Sequence, residues 1–203
     1  YCLSLKKNYP IVTYNLEKNP INSYYLVSRL AELSNKNQHF VSDAGSSYYV
    51  TGQALDYNFG QRDITSGAFA TMGAAIPMAI GSSCYDKDAQ IIVVTGDGSL
   101  ELNIQELKTV SQNNLNIKIF VINNGGYASI RESQDEYSDG RYTEAEDILD
   151  FSKVAEAFEM EYEIIEDYNT VDQKIKKVTG NQNPTLIEVV CERDQTIFGP
   201  EVI

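Results

Sequence analysis

The sequence predicts an α/β fold: a doubly wound, mostly parallel, six-stranded sheet with helices on both faces. Three observations carry this. Short β-branched segments alternate along the chain with stretches of helical period, the pattern of a parallel sheet. One segment, Ile91-Ile92-Val93-Val94, is an unbroken apolar run, as expected of a strand covered on both faces. Glycine-rich polar turns follow the two most apolar segments, where α/β sheets carry their ligand loops.

The elements follow in order. Residues 1–18, with Tyr9-Pro10 inside them and Asn19-Pro20 just after, have no sustained period and read as a linker arm from a preceding domain; residues 19–203 read as the domain itself. A helix is expected over Ile21–Ser34, with Tyr25, Leu26, Leu30 and Leu33 as one apolar stripe. The strand His39–Ser42 comes next, then a polar turn in which Ser46 or Ser47 is placed to cap the following helix. Asp63–Ser66 reads as a second short strand. The helix expected over Thr71–Ser83 is rich in Gly and Ala, which permit close backbone approach. Gln90–Thr95 is the buried strand, followed by a helix over Glu101–Gln112 with Ile104, Leu107 and Val110 on one side. Ile117–Ile122 reads as another apolar strand, and Gln134–Asp150 as a long loop. Phe151–Glu159 (helix), Tyr162–Ile165 (strand), Val171–Val178 (helix) and Thr185–Cys191 (strand) complete the pattern.

Composition restricts the partners. The 203 residues carry 16 Lys+Arg against 29 Asp+Glu, a net charge of −13. That balance disfavours nucleic acid and anionic membrane surfaces, both of which need clustered cations. Cys2, Cys84 and Cys191 lie far apart without a CxxC pair, which suggests reduced thiols and a cytoplasmic location rather than a disulfide framework or zinc site. No apolar run approaches the roughly 18 residues of a membrane span. The first methionine is Met72, so the chain is expected to be a piece of something longer.

Chemistry should lie where the apolar strands end. Gly96-Asp97-Gly98-Ser99 falls between the buried strand and a helix. Its glycines allow a tight turn, and the Gly98 and Ser99 amides sit at a helix start, suited to an anion. Asp97 would repel a bare phosphate, but a divalent cation between them resolves the conflict. The next strand ends in Asn123-Asn124-Gly125-Gly126, and Asn124 lies 27 positions after Asp97 (124 − 97), one βαβ step away. A carboxylate, a carboxamide oxygen and a backbone carbonyl are hard ligands suited to Mg²⁺. Each turn alone is ordinary; their pairing at adjacent strand ends is informative. A dinucleotide site is disfavoured, because Glu101 stands where the third glycine of that fingerprint belongs.

Gly-Asp-Gly-Ser followed some 27 residues later by Asn-Asn resembles the diphosphate-binding domain of thiamine-diphosphate enzymes. Thr65–Gly73, Ile76–Gly81 and Asn103–Leu107 are similar to stretches of acetolactate synthases, and the resemblance runs from about Asn19 to Glu192. It implies the thiamine-diphosphate-binding fold, with Mg²⁺ ligated by Asp97, the Asn124 side chain and the Gly126 carbonyl. The Gly96 loop would hold the diphosphate through the Gly98 and Ser99 amides. Ser46 and Ser47 replace the Gln-His common in relatives. Met72 would prop the cofactor into its bent shape, and Ala70, where glycine is usual, would offer its carbonyl to the aminopyrimidine. Tyr127 joins this set as a cofactor contact; Tyr127 and Arg131 are also candidates for substrate contact, with plain surface placement the alternative. His39 reads as structural.

The resemblance further implies an enzyme that decarboxylates a 2-oxo acid and passes the resulting carbanion to an acceptor. No catalytic residue is assigned within this chain. The activating glutamate would stand on a pyrimidine-binding domain, from the same enzyme or a second subunit, within a homo-oligomer. A subunit of a split 2-oxo acid decarboxylase and a non-catalytic domain that keeps the fold are the alternatives. Substrate choice would fall to residues 126–142 and 192–203.

Overall fold

The computed structural model describes residues 4–5, 8–12, 16–143 and 148–197. Six strands form one sheet, all parallel: β1 (Gln38–Ser42), β2 (Arg62–Ile64), β3 (Gln90–Gly96), β4 (Ile117–Asn123), β5 (Glu161–Ile165) and β6 (Thr185–Val190), in the spatial order β2-β1-β3-β4-β6-β5. The helices are α1 (Ser23–Glu32), α2 (Ser46–Ala54), α3 (Ala75–Tyr85), α4 (Asp97–Glu101), α5 (Glu106–Gln112), α6 (Ala128–Tyr137), α7 (Phe151–Ala157) and α8 (Val171–Thr179). The doubly wound fold expected from the sequence is the one observed.

Alternation along each central strand builds two cores. On one face Ile92 and Val94 of β3 and Phe120 and Ile122 of β4 pack with Leu26, Val50 and Ile175 from α1, α2 and α8. On the other, Ile91, Val93, Ile117, Ile119 and Val121 meet Ile76, Leu107 and Phe151 from α3, α5 and α7. Covering both faces with helices is what lets Ile91–Val94 of β3 and Ile119–Ile122 of β4 be unbroken apolar runs. Lys118 in β4 is fully buried, and its ammonium donates to Asn181 Oδ1 at 2.9 Å and to the Asn183 carbonyl. Leu16 and the half-buried Ile11 and Val12, from the arm before the domain, pack on the first core.

Several element boundaries differ from expectation, each for a tertiary reason. The helix expected from Thr71 begins at Ala75, because the distant Asp43 accepts from the amides of Gly73 (2.8 Å) and Ala75 (3.1 Å) and fixes the chain there. The helix expected over Glu101–Gln112 begins only at Glu106, as α5; the short α4 precedes it, and between the two Asn103 donates to the Gly73 carbonyl at 2.8 Å. The long loop expected from Gln134 starts after α6, which runs to Tyr137. In α1, Tyr24 rather than Tyr25 is fully buried. His39 lies near the amino end of β1 with Nδ1 2.9 Å from Ser82 Oγ, a structural placement. Cys84 is exposed and Cys191 buried, both free thiols; Cys2, residues 144–147 of the acidic stretch and residues 198–203 of the expected substrate region lie outside the described residues. No helix among the described residues is long and apolar enough to cross a membrane.

Candidate functional site

The chain runs from β1 outward to β2, then crosses back to β3, so the winding direction reverses between β1 and β3. Loops leaving adjacent strands in opposite directions open a crevice at their carboxyl ends. A cleft of ≈ 70 Å³ lies there, lined from the β1 end by Ala44–Ser47, from the β3 end by Gly96–Ser99, from the β4 end by Asn124 and Gly126–Ser129, and by Met72. That volume holds an ion and a few oxygens, so any larger ligand must extend beyond it. None of the lining residues is Lys, Arg or His.

Asp97 organises the floor. Its side chain is buried, with Oδ1 accepting from the Gly98 amide at 2.7 Å and Oδ2 from the amides of Gly126 (3.0 Å) and Asn124 (3.2 Å). These bonds bring together the two turns singled out in the sequence. Burial pushes the carboxyl above the usual carboxylate range, and the backbone amides offset this only in part. A desolvated carboxylate without a cationic neighbour in its cleft is a natural ligand for a small divalent cation. Among the described residues no group of three or more His, Cys, Asp or Glu is placed to hold a metal. Any ion here would therefore rest on a mixed set of oxygens, including those of its ligand.

The Asn124–Gly126 loop is held from behind. Gly125 and Gly126 have φ of 77° and 104°, open to glycine at little cost. Arg131, a candidate for substrate contact with surface placement the alternative, does not lie on the surface. It is 1% exposed, and its guanidinium donates to the carbonyls of Asn124 (3.1 Å), Gly125 (3.0 Å) and Arg193 (2.6 Å) and to Asp194 Oδ1 (3.1 Å). The planar fork thus ties the loop after β4 to the chain leaving β6. Its position in the first half of α6 gave no sequence signal of burial, since carbonyl acceptors are invisible in side-chain patterns.

The remaining candidates divide. Gly96, Ser46, Ser47, Met72, Ser99 and Tyr127 line the cleft, whereas Ala70 is exposed and outside its lining. Neither Ser46 nor Ser47 caps α2 as expected: the N-cap is Gly45, and Ser47 Oγ donates to the Ala44 carbonyl at 2.8 Å. Met72 sits in the turn before α3, half-buried, and not on a helix. The Tyr127 ring lies against Gly98 so closely that a Cβ there would stand 2.3 Å from Cε1. Gly98, in the first turn of α4, is thus favoured by this close approach and not by a left-handed backbone. The Gly126 carbonyl accepts from the Ala128 amide at 2.9 Å, which leaves one lone pair for another partner.

Sequence reasoning missed Ser129. Its Oγ is buried without a hydrogen-bond partner, a condition shared among the described residues only with Thr51 Oγ1.

Comparison with known proteins gives concordant results. The model of the family described as "Thiamine pyrophosphate enzyme, C-terminal TPP binding domain" matches residues 43–189. The chain is 28% identical over 181 residues to the acetolactate synthase isozyme 1 large subunit of Escherichia coli K12, covering 88% of this chain and 32% of that protein. It is 33% identical over 147 residues to the acetolactate synthase large subunit of Buchnera aphidicola subsp. Schizaphis graminum, covering 71% of this chain and 26% of the relative. For the large subunit of Cyanidium caldarium the figures are 28% identity, 95% and 33%. The chain spans a third or less of the length of each of these relatives.

Proposed function

This chain belongs to the thiamine pyrophosphate enzyme family through its C-terminal TPP-binding domain, and from that membership we propose that the cleft holds the diphosphate of thiamine diphosphate through Mg²⁺. Asp97, the Asn124 side chain and the Gly126 carbonyl are the metal's protein ligands. The amides of Gly98, shared with Asp97, and Ser99, together with Ser46, Ser47 and the Gly96 turn, face the diphosphate. Met72 and Tyr127 support the cofactor beyond the cleft, and the Ala70 carbonyl accepts from its aminopyrimidine.

The observation that carries this reading is the convergence of Asn124 and Gly126 on one oxygen of Asp97, at 3.2 and 3.0 Å. Two further features fit the group: the oxygen-only donor set of the lining and the orphaned Ser129 hydroxyl. Because the cleft lining lacks a cationic side chain, neutralising a diphosphate falls to the metal, and binding must be metal-dependent.

When bound, thiamine diphosphate supplies the electron sink needed to cleave the bond next to the carbonyl of a 2-oxo acid. This chain's residues bind and orient that cofactor. We place the chain in an acetolactate synthase-like enzyme, a lyase or transferase acting on a 2-oxo acid and an acceptor. A pyrimidine-binding domain, from the same enzyme or another subunit of an oligomer, completes the site. Calorimetric titration with thiamine diphosphate tests the reading: heat should appear only with Mg²⁺ and vanish in Asp97→Ala and Asn124→Ala. Binding that is indifferent to Mg²⁺, or unchanged in both variants, refutes it.

A further inference from the structure

We infer that Arg131 is a positioning residue for the turn after β4, fixing its peptide planes and thereby the grip of the cleft on a cation. The inference rests on the reading of the cleft given above. It assigns an effect on binding to a residue outside the cleft lining. A peptide unit is rigid, so holding its C=O also holds the N–H on its other side. The unit joining Gly125 to Gly126 is gripped at both ends. Arg131 Nη1 donates to the Gly125 carbonyl at 3.0 Å, and the Gly126 amide donates to Asp97 Oδ2 at 3.0 Å. Just before it, Arg131 Nη2 donates to the Asn124 carbonyl at 3.1 Å, and the Asn124 amide donates to the same Asp97 oxygen at 3.2 Å. Guanidinium and carboxylate thus pull on one loop from opposite sides, through charge-assisted hydrogen bonds. Without them, two successive glycines at φ 77° and 104° would leave the turn many conformations. The Asn124 side chain and the Gly126 carbonyl, the metal ligands proposed above, belong to the residues so fixed.

The clamp is anchored by the chain that leaves β6. Arg131 donates to the Arg193 carbonyl at 2.6 Å and, through Nε, to Asp194 Oδ1 at 3.1 Å. That segment is itself fastened to the start of α1. The Glu192 amide donates to the Ile21 carbonyl at 3.0 Å, and the Ser23 amide to Gln195 Oε1 at 2.7 Å. The Arg193 side chain lies against the turn as well, since a Cβ on Gly125 would stand 3.0 Å from its Nη1. Lysine at position 131 would bring the same charge but not the same reach. Its donors diverge from a single nitrogen, whereas the planar fork of arginine serves two chain segments at once.

The test compares the unaltered protein with Arg131→Lys and Asp194→Ala, each measured well below its own melting temperature. Calorimetry follows Mg²⁺-dependent binding of thiamine diphosphate. With Mn²⁺ in place of Mg²⁺, water-proton relaxation reports how much water the bound ion keeps. In Arg131→Lys binding should weaken by about 10–100-fold, as for loss of a partner that orients metal ligands. The bound Mn²⁺ should then hold more water, because a protein oxygen no longer reaches it. Asp194→Ala removes an acceptor of Arg131 that lies outside the turn, and should weaken binding about threefold, the order of one hydrogen bond. A lowered melting point in Arg131→Lys with affinity and Mn²⁺ hydration unchanged would make the residue purely structural. That result would overturn the inference and leave the cleft's function standing. Should Arg131→Lys fail to fold, Asp194→Ala decides: weaker binding at an unaltered melting point supports the inference, and unchanged affinity overturns it. If the unaltered protein shows no Mg²⁺-dependent binding, the reading of the cleft falls and this inference with it.

Discussion

Asp43 and Asp97 occupy equivalent places and do different work. Each follows a central parallel strand, each is at most 2% exposed, and each accepts from three backbone amides. Burial pushes both carboxyls above their usual range. The difference is what their amides belong to. Asp43 accepts from its neighbour Ala44 and from Gly73 and Ala75, so it fastens a crossing segment to the sheet and starts α3. Asp97 accepts from Gly98, Asn124 and Gly126, the turns that line the cleft, while Asp43 is not among the lining residues. A buried carboxylate at a strand end is thus a clasp by default, and it becomes a candidate metal ligand when its clasped loops enclose a cleft.

Exchanging the two aspartates separately should separate these roles. Asp97→Asn is expected to weaken Mg²⁺-dependent binding of thiamine diphosphate by more than about a hundredfold, beyond the roughly 10–100-fold that loss of a supporting partner costs a metal site. Asp43→Asn should leave that affinity within about threefold and instead cost about 1–3 kcal/mol of stability, since one amide oxygen cannot serve three donors. Titration calorimetry and denaturant unfolding read the two quantities. If Asp43→Asn abolishes binding without loss of stability, the contrast drawn between them is wrong.

The next effect sharpens the cleft side. Gly98→Ala places a methyl where Tyr127 now lies, 2.3 Å from Cε1. The ring must move, at a cost of about 1–3 kcal/mol for overpacking. Thermal melting should fall, and Tyr127→Ala combined with Gly98→Ala should recover most of the loss. An unaltered melting point in the single variant would mean that the contact between ring and glycine is loose.

The contrast also explains what could be read in the chain. Ile91–Val94 declared itself as a covered strand, and Gly96–Ser99 with Asn124 marked two turns that do meet at the cleft, because these signals are local or a fixed βαβ step apart. The role of Asp43 was illegible: its partners Gly73 and Ala75 lie 30 and 32 positions away and contribute only backbone amides. The true start of α3, the division of α4 from α5 at Asn103, and the burial of Arg131 on three carbonyls escaped for the same reason. Ser129 escaped because an orphaned hydroxyl is defined by surroundings, and its own residue type says nothing.

A smaller effect concerns pH. The Asp43 carboxyl has a higher pKa in the folded protein than in the unfolded chain, where about 3.9 applies. Between those two values the native state holds the proton more often, so the stability this group contributes is full below about pH 4 and is lost as pH rises through the folded value. Asp43→Asn removes that dependence. Unfolding free energies measured upward from about pH 4 should therefore decline less steeply in Asp43→Asn than in the unaltered protein. Parallel curves would show that another group governs the slope.

The smallest effect lies in the segment that Asp43 fastens. Ala70 ends a short 3₁₀ turn in the left-handed region, at φ 43° and ψ 47°, five positions before the start of α3 at Ala75. A β-carbon there costs about 1–2 kcal/mol. Glycine would remove that strain, but its freer unfolded chain returns about 0.4–1 kcal/mol. Strain is the larger quantity, so Ala70→Gly should raise stability by about 0.5–1 kcal/mol, seen as a modest rise in melting temperature. Its effect on Mg²⁺-dependent binding should be slight, because the part proposed for Ala70 uses only a backbone carbonyl, which both residues carry. A lower melting temperature would mean that the left-handed turn is held by Asp43 so firmly that strain at Ala70 has already been relieved elsewhere in the segment, and the clasp would then reach further along the chain than its hydrogen bonds to Gly73 and Ala75.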